Sequence, residues 1–257
     1  MGQAACPESV FDVLKDYLGV THELFASPLN CFFASYCSAF ADTDAPFGSC
    51  GSFWTFDPLR HLSGSSALPR GGSYQANPPF VPSIMDAMVD RIHALLDASA
   101  IVPSHPRHST LSSNTPPVPL SFTVVVPGWL EDAAYQKLCR SEQLRAKWII
   151  AKNDHGFCDG AQHQRRDRFR ESPFDTVVFV LQNDAGNARW APSLECEEQL
   201  RLAFATGFPT HAASERRLKA GRGFADQDGG GGVYKGRKRG RDASKKHRRD
   251  QTEKADI

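Results

Sequence analysis

Two stretches of this sequence are apolar along their whole length, and they constrain the fold more than any other feature. The segment LSFTVVVP (residues 120–127) is rich in β-branched residues, and DTVVFVLQND (residues 175–184) is a second continuous apolar run. Strands of this kind need cover on both faces, unlike strands that alternate apolar and polar residues. Helical patterns lie between and around them, so the sequence predicts an α/β sandwich with helices on both faces of the sheet.

The remaining elements follow from shorter patterns. ESVFDVLKDYLG (residues 8–19) predicts a helix that ends at Gly19, and residues 81–96 carry a second helical stripe. EDAAYQKLCRSEQLRAKWII (131–150) indicates a helix that leads into a strand, and SLECEEQLRLAFA (193–205) a final helix. In the first quarter, ELFASPLN (23–30) is interpreted as a short strand broken by Pro28, NCFFASYCSAF (30–40) as a buried helix, and FWTFDPL (53–59) and SYQA (73–76) as short strands.

The charge distribution divides the chain into a body and a tail. The net charge is only +1, yet residues 214–257 contain 14 Lys/Arg against 7 Asp/Glu. We expect a globular domain at residues 1–213 and a disordered basic tail at 214–257, where the apolar pattern stops. The seven cysteines are scattered and read as reduced thiols. We expect no secretory signal and no membrane span, because no apolar run is long enough.

The tetrapeptide Asn77-Pro78-Pro79-Phe80 joins the short strand SYQA to the following helical stripe. In an open α/β sheet, ligands bind outside the carboxyl ends of the strands. An exocyclic purine amine carries two N–H bonds, and two aimed acceptors would hold its nitrogen for reaction. The Asn77 side-chain oxygen can be one acceptor and the Pro78 carbonyl the other, with its direction restricted by Pro79. Phe80 offers a flat face on which an unstacked base can lie.

A suitable electrophile for that amine is a sulfonium methyl group, as in S-adenosyl-L-methionine. Such a reaction needs no protein nucleophile and no metal, so catalysis consists of positioning and electrostatic preorganisation. His155, Cys158 and His163 lie close together in the sequence, but a tetrahedral zinc site needs a fourth ligand. The sequence therefore predicts no metal site.

At this point several ordered blocks resemble a known family. They are VTHELFASPLNCFFASYCSAFADTDAPFGSCGSF, GSYQANPPFVPSIMDAMVDRIHALLDAS, LSFTVVVPGW and VVFVLQNDAGNARWAPS, which lie within residues 20–200. Together they resemble the phosphorylated-CTD-interacting factor family, the cap-specific mRNA adenosine-N6 methyltransferases. The resemblance implies a Rossmann-like class I methyltransferase fold with S-adenosyl-L-methionine as donor. It also implies a nuclear enzyme whose substrate is the 2′-O-methyladenosine next to the cap of capped mRNA.

The resemblance also assigns roles to individual residues. The catalytic motif falls on Asn77, Pro78, Pro79 and Phe80. FASPLN takes the place of the first methyltransferase motif, which implies that Ala26, Ser27, Pro28 and Asn30 bind the cofactor. Asp57, at the end of FWTFDPL, is the fifth residue assigned to cofactor binding. Family members work with RNA polymerase II and bind its phosphorylated C-terminal domain through a WW domain. We expect this chain to lack that WW domain and the family's helical domain.

Several alternatives stay open on the residues alone. The chain is interpreted as an enzyme, a non-catalytic module that binds RNA or a transcription partner, or an adenine methyltransferase with another nucleic-acid substrate. The basic tail is a nuclear localisation signal, an RNA-binding arm or a solubilising end. Two groups of residues either contact capped RNA or occupy ordinary surface or core positions. They are the arginines Arg165, Arg166, Arg168 and Arg170, and the tryptophans Trp129, Trp148 and Trp190.

Overall fold

The computed structural model describes residues 4–59, 71–100, 117–159 and 169–206. These residues form eight strands: β1 (Ala4–Ala5), β2 (His22–Glu23), β3 (Gly72–Ala76), β4 (Leu120–Pro127), β5 (Leu144–Ile150), β6 (Gly156–Asp159), β7 (Phe169–Glu171) and β8 (Thr176–Gln182). They also form six α-helices and a 3-10 helix at Ala45–Phe47: α1 (Glu8–Leu18), α2 (Ala41–Asp44), α3 (Pro82–Ala100), α4 (Ala133–Cys139), α5 (Asp184–Arg189) and α6 (Leu194–Ala205).

The main sheet has five strands in the order β2-β3-β4-β8-β5. Strands β2, β3 and β4 are parallel, whereas β8 runs antiparallel to both β4 and β5. Two isolated parallel bridges extend this sheet beyond β2, from Glu23 to Tyr36 and from Tyr36 to Ser49. The result is a mixed α/β sheet, as the alternation of apolar strands and helices predicts.

The central strands β4 and β8 are buried along their whole length. Because successive side chains of a strand point to opposite faces, the two strands contribute to two separate cores. One core joins one face of the sheet to α3 and α4, and it includes Phe122, Val124, Val177, Phe179, Met88, Ile92 and Leu138. The other joins the opposite face to α1 and α6, and it includes Val125, Val178, Val180, Leu14, Leu200 and Phe204. Helices therefore cover both sides.

The longer helices agree with their sequence patterns. The buried residues of α1 are Val10, Phe11, Leu14 and Leu18, and the helix stops where Gly19 adopts a left-handed φ of 63°. The stripe of α3 faces the first core, and Pro82 occupies its first turn, where a missing amide hydrogen costs nothing. Local periodicity was sufficient here because each helix buries one continuous face.

The segment NCFFASYCSAF is not a buried helix, so that prediction is wrong. Its residues follow an irregular path in which the amides of Phe32 and Phe33 donate to the Glu23 carboxylate, at 2.7 and 3.0 Å. Tyr36 joins the sheet through its two bridges instead of continuing a helical turn. These contacts come from a residue outside the segment, which its own periodicity does not reveal.

Two predicted strands nearby are also corrected. In ELFASPLN the strand ends at Glu23, before Pro28 is reached. FWTFDPL forms turns, in which the amides of Thr55 and Phe56 donate to the carbonyl of Ser52. Phe53 and Phe56 are buried without a strand, and the Phe53 ring packs on that of Phe25 at 5.0 Å between centroids, whereas Trp54 is exposed.

A second sheet of three short strands, in the order β1-β6-β7, was not predicted. Both of its pairings are antiparallel, with Ala5 opposite Cys158 and Phe157 opposite Arg170. The predicted disordered tail at 214–257 lies outside the described residues. Within the described part of the chain, no helix combines the length and the apolar character needed to cross a membrane.

Candidate functional site

The candidate site lies where the direction of chain progression across the sheet changes. From β2 the chain continues to the bridge residue Tyr36 on one side, whereas the next strand, β3, pairs with the other side of β2. Glu23 ends β2 beside Gln75, and Asn77 follows the last residue of β3. Open α/β sheets bind ligands in the crevice outside such a switch point.

A cavity of about 410 Å³ occupies this position, within the range of small-molecule sites. The two parallel strands and their following loops supply one part of its lining: Glu23, Phe25, Asn30, Gln75, Asn77, Pro78, Pro79, Phe80 and Val81. The three-stranded sheet, α1, the loops beside them and the segment after β4 supply the rest: Ala4, Ala5, Cys6, Phe11, Trp129, Phe157, Arg170, Glu171, Ser172, Pro173 and Phe174. The small sheet thus forms a wall of the cavity and contacts the tetrapeptide directly.

Asn77 uses one half of its side-chain amide and leaves the other half available. Its Nδ2 donates to the backbone carbonyl of Ala4 at 2.6 Å. Its Oδ1 is buried and accepts no hydrogen bond from any described residue. An unsatisfied buried acceptor costs about 1–3 kcal/mol, which an N–H donor brought against this oxygen would recover.

The other three residues of the tetrapeptide form an apolar edge to the same cavity. Pro78 is buried, and the Pro79 carbonyl accepts from the Val81 amide at 2.7 Å, which leads the chain into α3. The Phe80 ring is partly buried and meets Phe157 and Phe174 edge-to-face, at 5.7 and 5.8 Å between centroids. These edge contacts hold the Phe80 ring at a fixed inclination.

Glu23 is the acidic group buried deepest in the cavity lining, with only 3% of its surface exposed. Burial raises the pKa of its carboxyl to about 7, against the opposing effect of the two amides that donate to it. Both of those hydrogen bonds, from Phe32 and Phe33, end on Oε1. A carboxylate here carries a negative charge in a largely apolar cavity, where a cationic ligand would interact with it strongly.

The predicted cofactor residues form a tight loop of which one residue reaches the cavity. Asn30 lines the cavity, and its Oδ1 accepts from both the amide and the hydroxyl of Ser27, at 2.7 and 2.9 Å. Ala26 is buried and its amide donates to the Cys37 carbonyl, while Pro28 is partly buried. Asp57 accepts from the Leu59 amide at 3.0 Å and is absent from the described cavity lining.

Glu23, Phe25 and the whole small sheet were not predicted as parts of this site. The sequence places Glu23 at the start of the predicted strand ELFASPLN, so no signal marked it as the end of a strand at the switch point. The small sheet carries none, since Ala4 and Asn77 are 73 residues apart in the chain.

The residues that the sequence left open have separate positions. Trp129 and Arg170 line the cavity, whereas Trp148 is buried in the core on the α1 and α6 side. His155 is fully buried and its ring nitrogens lie 2.7 Å from the Ala151 carbonyl and the Thr176 hydroxyl. His163 and three of the four arginines lie outside the described residues. In the described ranges, no group of three His, Cys, Asp or Glu side chains is arranged to hold a metal ion.

Comparison with known proteins identifies relatives of the chain. Residues 1–160 match the family described as "Phosphorylated CTD interacting factor 1 WW domain". Two curated relatives are each named "mRNA (2'-O-methyladenosine-N(6)-)-methyltransferase". The relative from Homo sapiens is 38% identical over 216 residues, which cover 82% of this chain and 27% of the relative. The relative from Mus musculus is 36% identical over 216 residues, which cover 82% of this chain and 26% of the relative.

The chain thus spans about a quarter of the length of these relatives. The family match covers well over half of the chain, including the whole tetrapeptide and both strands that flank the switch point. The chain therefore belongs to the phosphorylated CTD interacting factor 1 family.

Proposed function

We propose that the chain is an S-adenosyl-L-methionine-dependent methyltransferase that acts on the N6 amine of the 2′-O-methyladenosine next to the cap of capped mRNA. Residues 1–213 would form its catalytic domain. The observation that carries the proposal is the buried, unpartnered Oδ1 of Asn77 in a cavity at the sheet's switch point. The names of the relatives from Homo sapiens and Mus musculus support this substrate and this position of methylation.

Asn77 is suited to bind the amine that is methylated. An adenine amine has two N–H bonds and a lone pair that is delocalised into the ring. The Asn77 Oδ1 accepts one N–H, and the Pro78 carbonyl accepts the other. Two acceptors of this kind hold the nitrogen and favour a tetrahedral geometry, in which its lone pair is available for attack.

Phe80 supplies the face on which the adenine lies. Stacking of a base on an aromatic side chain contributes roughly 1–3 kcal/mol per base. The edge contacts from Phe157 and Phe174 hold the ring before the base arrives, so little freedom remains to be lost on binding. Trp129, which meets Phe174 at 5.7 Å between ring centroids, extends this apolar surface along the cavity.

The cavity volume of about 410 Å³ and the polar side chains in its lining are compatible with the methyl donor. When bound, S-adenosyl-L-methionine supplies a methyl group on a positively charged sulfur. Asn30, Glu23 and Phe25 would hold this donor, because all three line the same cavity as Asn77. Ala26, Ser27 and Pro28 would act through the loop that positions Asn30, and Asp57 stays a prediction without support from the described cavity lining.

The arrangement of the sheet supports a Rossmann-like class I methyltransferase fold. The Ser49 and Tyr36 bridges can be counted as rudimentary strands beside β2. When these two bridges and the five strands of the sheet are numbered in chain order, they lie across the sheet in the order 3-2-1-4-5-7-6. Strand 7 in this numbering is β8, and it is antiparallel to both of its neighbours. The first five positions of the sheet follow the order of doubly wound nucleotide-binding sheets.

A nuclear location and contact with the phosphorylated C-terminal domain of RNA polymerase II are part of the same proposal. The family's description names that domain, and the relatives' names specify mRNA as substrate. The basic residues of 214–257 match the composition of a nuclear localisation signal.

The proposal is tested by incubating the full chain with labelled donor and matched oligonucleotides. We expect methylation of a capped RNA that begins with 2′-O-methyladenosine, and little of its uncapped form or of DNA. Asn77→Ala should lower turnover by about 100-fold or more, because it removes an acceptor aimed at the reacting nitrogen. Asn187→Ala, the same change in α5 away from the cavity, should leave turnover unchanged. Equal turnover in the Asn77→Ala variant and the native chain would refute the assignment.

A further inference from the structure

We propose that the small sheet of β1, β6 and β7 orients the side-chain amide of Asn77. The Ala4 carbonyl holds this amide in the one orientation that leaves Oδ1 free to accept a hydrogen bond. This inference rests on the proposed function, because it concerns the same side chain. It adds a positioning residue that lies 73 residues away from the tetrapeptide in sequence.

The need for such a group follows from the shape of the amide. The two ends of an asparagine side chain have nearly the same size, so a rotation of about 180° exchanges oxygen and nitrogen at little steric cost. Only the hydrogen-bond partners decide between the two orientations. The Ala4 carbonyl can only accept, so Nδ2 must face it, as it does at 2.6 Å.

The opposite orientation would be unproductive for two reasons. It would place Oδ1 of Asn77 against the Ala4 oxygen, so that two acceptors repel each other. It would also present Nδ2, a donor, to an adenine amine that is itself a donor. The Ala4 carbonyl therefore excludes the orientation in which the substrate amine cannot be bound.

The Ala4 carbonyl is itself held by the small sheet. Ala4 and Ala5 pair with Asp159 and Cys158 of β6, and β6 pairs in turn with β7. Ala5 is 8% exposed, and the buried Cys6 connects the strand to α1 within a few residues. The small sheet thus forms one wall of the cavity and also determines the orientation of the Asn77 side-chain amide.

Stability as a function of pH tests this arrangement without requiring activity. In Asn77→Asp, a protonated carboxyl can still donate to the Ala4 oxygen, whereas a carboxylate is repelled by it. The folded state then binds the proton more tightly than the unfolded chain, so the variant loses stability as pH rises. We expect its melting temperature to lie near that of the native chain at about pH 4, where an Asp of the unfolded chain begins to lose its proton, and to fall increasingly below it towards about pH 8. The deficit of Asn77→Ala should remain constant.

Other groups that titrate or carry charge in the described cavity lining are Cys6, Glu23, Arg170 and Glu171. The melting temperatures are therefore measured again across the same pH range in a Glu23→Gln background. This background removes the one buried carboxyl of the described lining whose titration could be confused with that of Asn77→Asp. A deficit of Asn77→Asp that does not change with pH in that background would overturn the proposal. So would a failure of the variant to fold even at the acidic end.

A second measurement addresses the Ala4 carbonyl directly. Because Cys6 follows Ala5, a synthetic thioester of residues 1–5 can be ligated to a chain that begins at Cys6, which restores the native sequence. Replacing the Ala4–Ala5 amide by an ester weakens the Ala4 oxygen as an acceptor. We expect kcat to fall roughly 2- to 10-fold, the range of one hydrogen bond, with the KM for the donor unchanged.

The matched control is the same ester in the Asn77→Ala variant, which has no Nδ2 to anchor. The ester also removes the Ala5 amide hydrogen, but that loss is common to both backgrounds and cancels in the comparison. The ester should lower the melting temperature more in the native background than in the Asn77→Ala variant. Equal shifts would overturn the proposal. If every form including the native one is inactive, the proposed function fails while the melting comparison still tests the anchor.

Discussion

At the scale of single residues, Glu23 shows how one buried carboxyl group connects the local chain path to the site. Its Oε1 accepts from the Phe32 and Phe33 amides, which turns the segment after β2 back towards the sheet. The same side chain lines the cavity beside Asn30 and Gln75. A carboxyl in this position organises the loop in either protonation state, because a protonated carboxyl retains an oxygen that accepts.

The buried position of Glu23 predicts a specific dependence of stability on pH. Its pKa is raised from 4.5 to about 7, so the folded state keeps a proton that the unfolded chain releases between these values. The free energy of unfolding of the native chain therefore falls by up to about 3 kcal/mol as pH rises through this range. Glu23→Gln removes this titration and retains an acceptor for both amides. We expect the variant and the native chain to differ little at about pH 4 and the variant to be increasingly the more stable of the two up to about pH 8, as measured by urea unfolding.

The control for this prediction is Glu131→Gln, at an exposed position before α4. An exposed carboxyl loses little hydration on folding, so this variant measures the effect of the Glu→Gln exchange where no buried carboxyl is removed. The buried histidine His22, whose pKa burial lowers to about 4, is present in all three proteins and cancels in the comparison. If the difference between Glu23→Gln and the native chain stays constant with pH, the buried carboxyl does not titrate as described.

At the scale of elements, the end of α1 combines a helix cap with a close contact between helices. Gly19 has a φ of 63°, and its amide donates to the Lys15 carbonyl. A Cβ atom at this position would overlap the indole ring of Trp190, which follows α5. Gly19→Ala should therefore lower the free energy of unfolding by about 2–4 kcal/mol, from left-handed strain together with overpacking. Urea unfolding measures this loss.

A matched substitution separates the two causes. Gly51 also has a positive φ, 102°, but a Cβ added there would meet no atom within 4 Å. Gly51→Ala should therefore cost only the backbone strain, about 1–2 kcal/mol. Equal losses in the two variants would show that the contact with Trp190 contributes nothing to the stability of the helix end.

Elements whose residues bury a continuous face were predictable, and those stabilised by distant partners were not. The strands β4 and β8 and the helices α1 and α3 carry their burial pattern in consecutive residues. The segment after β2 instead takes its path from the Glu23 carboxylate and from single bridges at Tyr36. An aromatic, small-residue sequence such as NCFFASYCSAF fits a helical pattern equally well, so periodicity alone misled the prediction.

The site shows the same division. The tetrapeptide was recognised because its four residues are adjacent and because it follows a strand. The Ala4 carbonyl was not, because a backbone atom has no sequence signature and because β1, with two residues, is too short to show a pattern. Sequence therefore singles out the candidate side chain, and the tertiary structure determines how that side chain is oriented.

At the scale of the whole molecule, charge is distributed unevenly along the chain. Residues 214–257 hold 14 Lys/Arg against 7 Asp/Glu, while the remainder is mildly acidic. Positive charges near RNA release counterions from its phosphates, which makes affinity depend steeply on salt. The proposed substrate, a cap-adjacent adenosine, would sit at the end of a long polyanion, so basic residues outside the cavity would increase affinity without changing the chemistry.

Neutralising the two basic clusters tests whether they bind RNA. The change replaces nine residues by Gln: Lys235, Arg237, Lys238, Arg239, Arg241, Lys245, Lys246, Arg248 and Arg249. We expect weaker binding to a long capped RNA, with the slope of log affinity against log salt reduced by about 0.7 for each phosphate that the protein no longer neutralises. Methyl transfer to a capped dinucleotide should persist, because it has no distant phosphates.

The control exchanges Lys and Arg at the same positions and keeps every charge. Identical salt slopes for the neutralised and native chains would mean that the clusters do not bind RNA, and would favour a role in nuclear import instead.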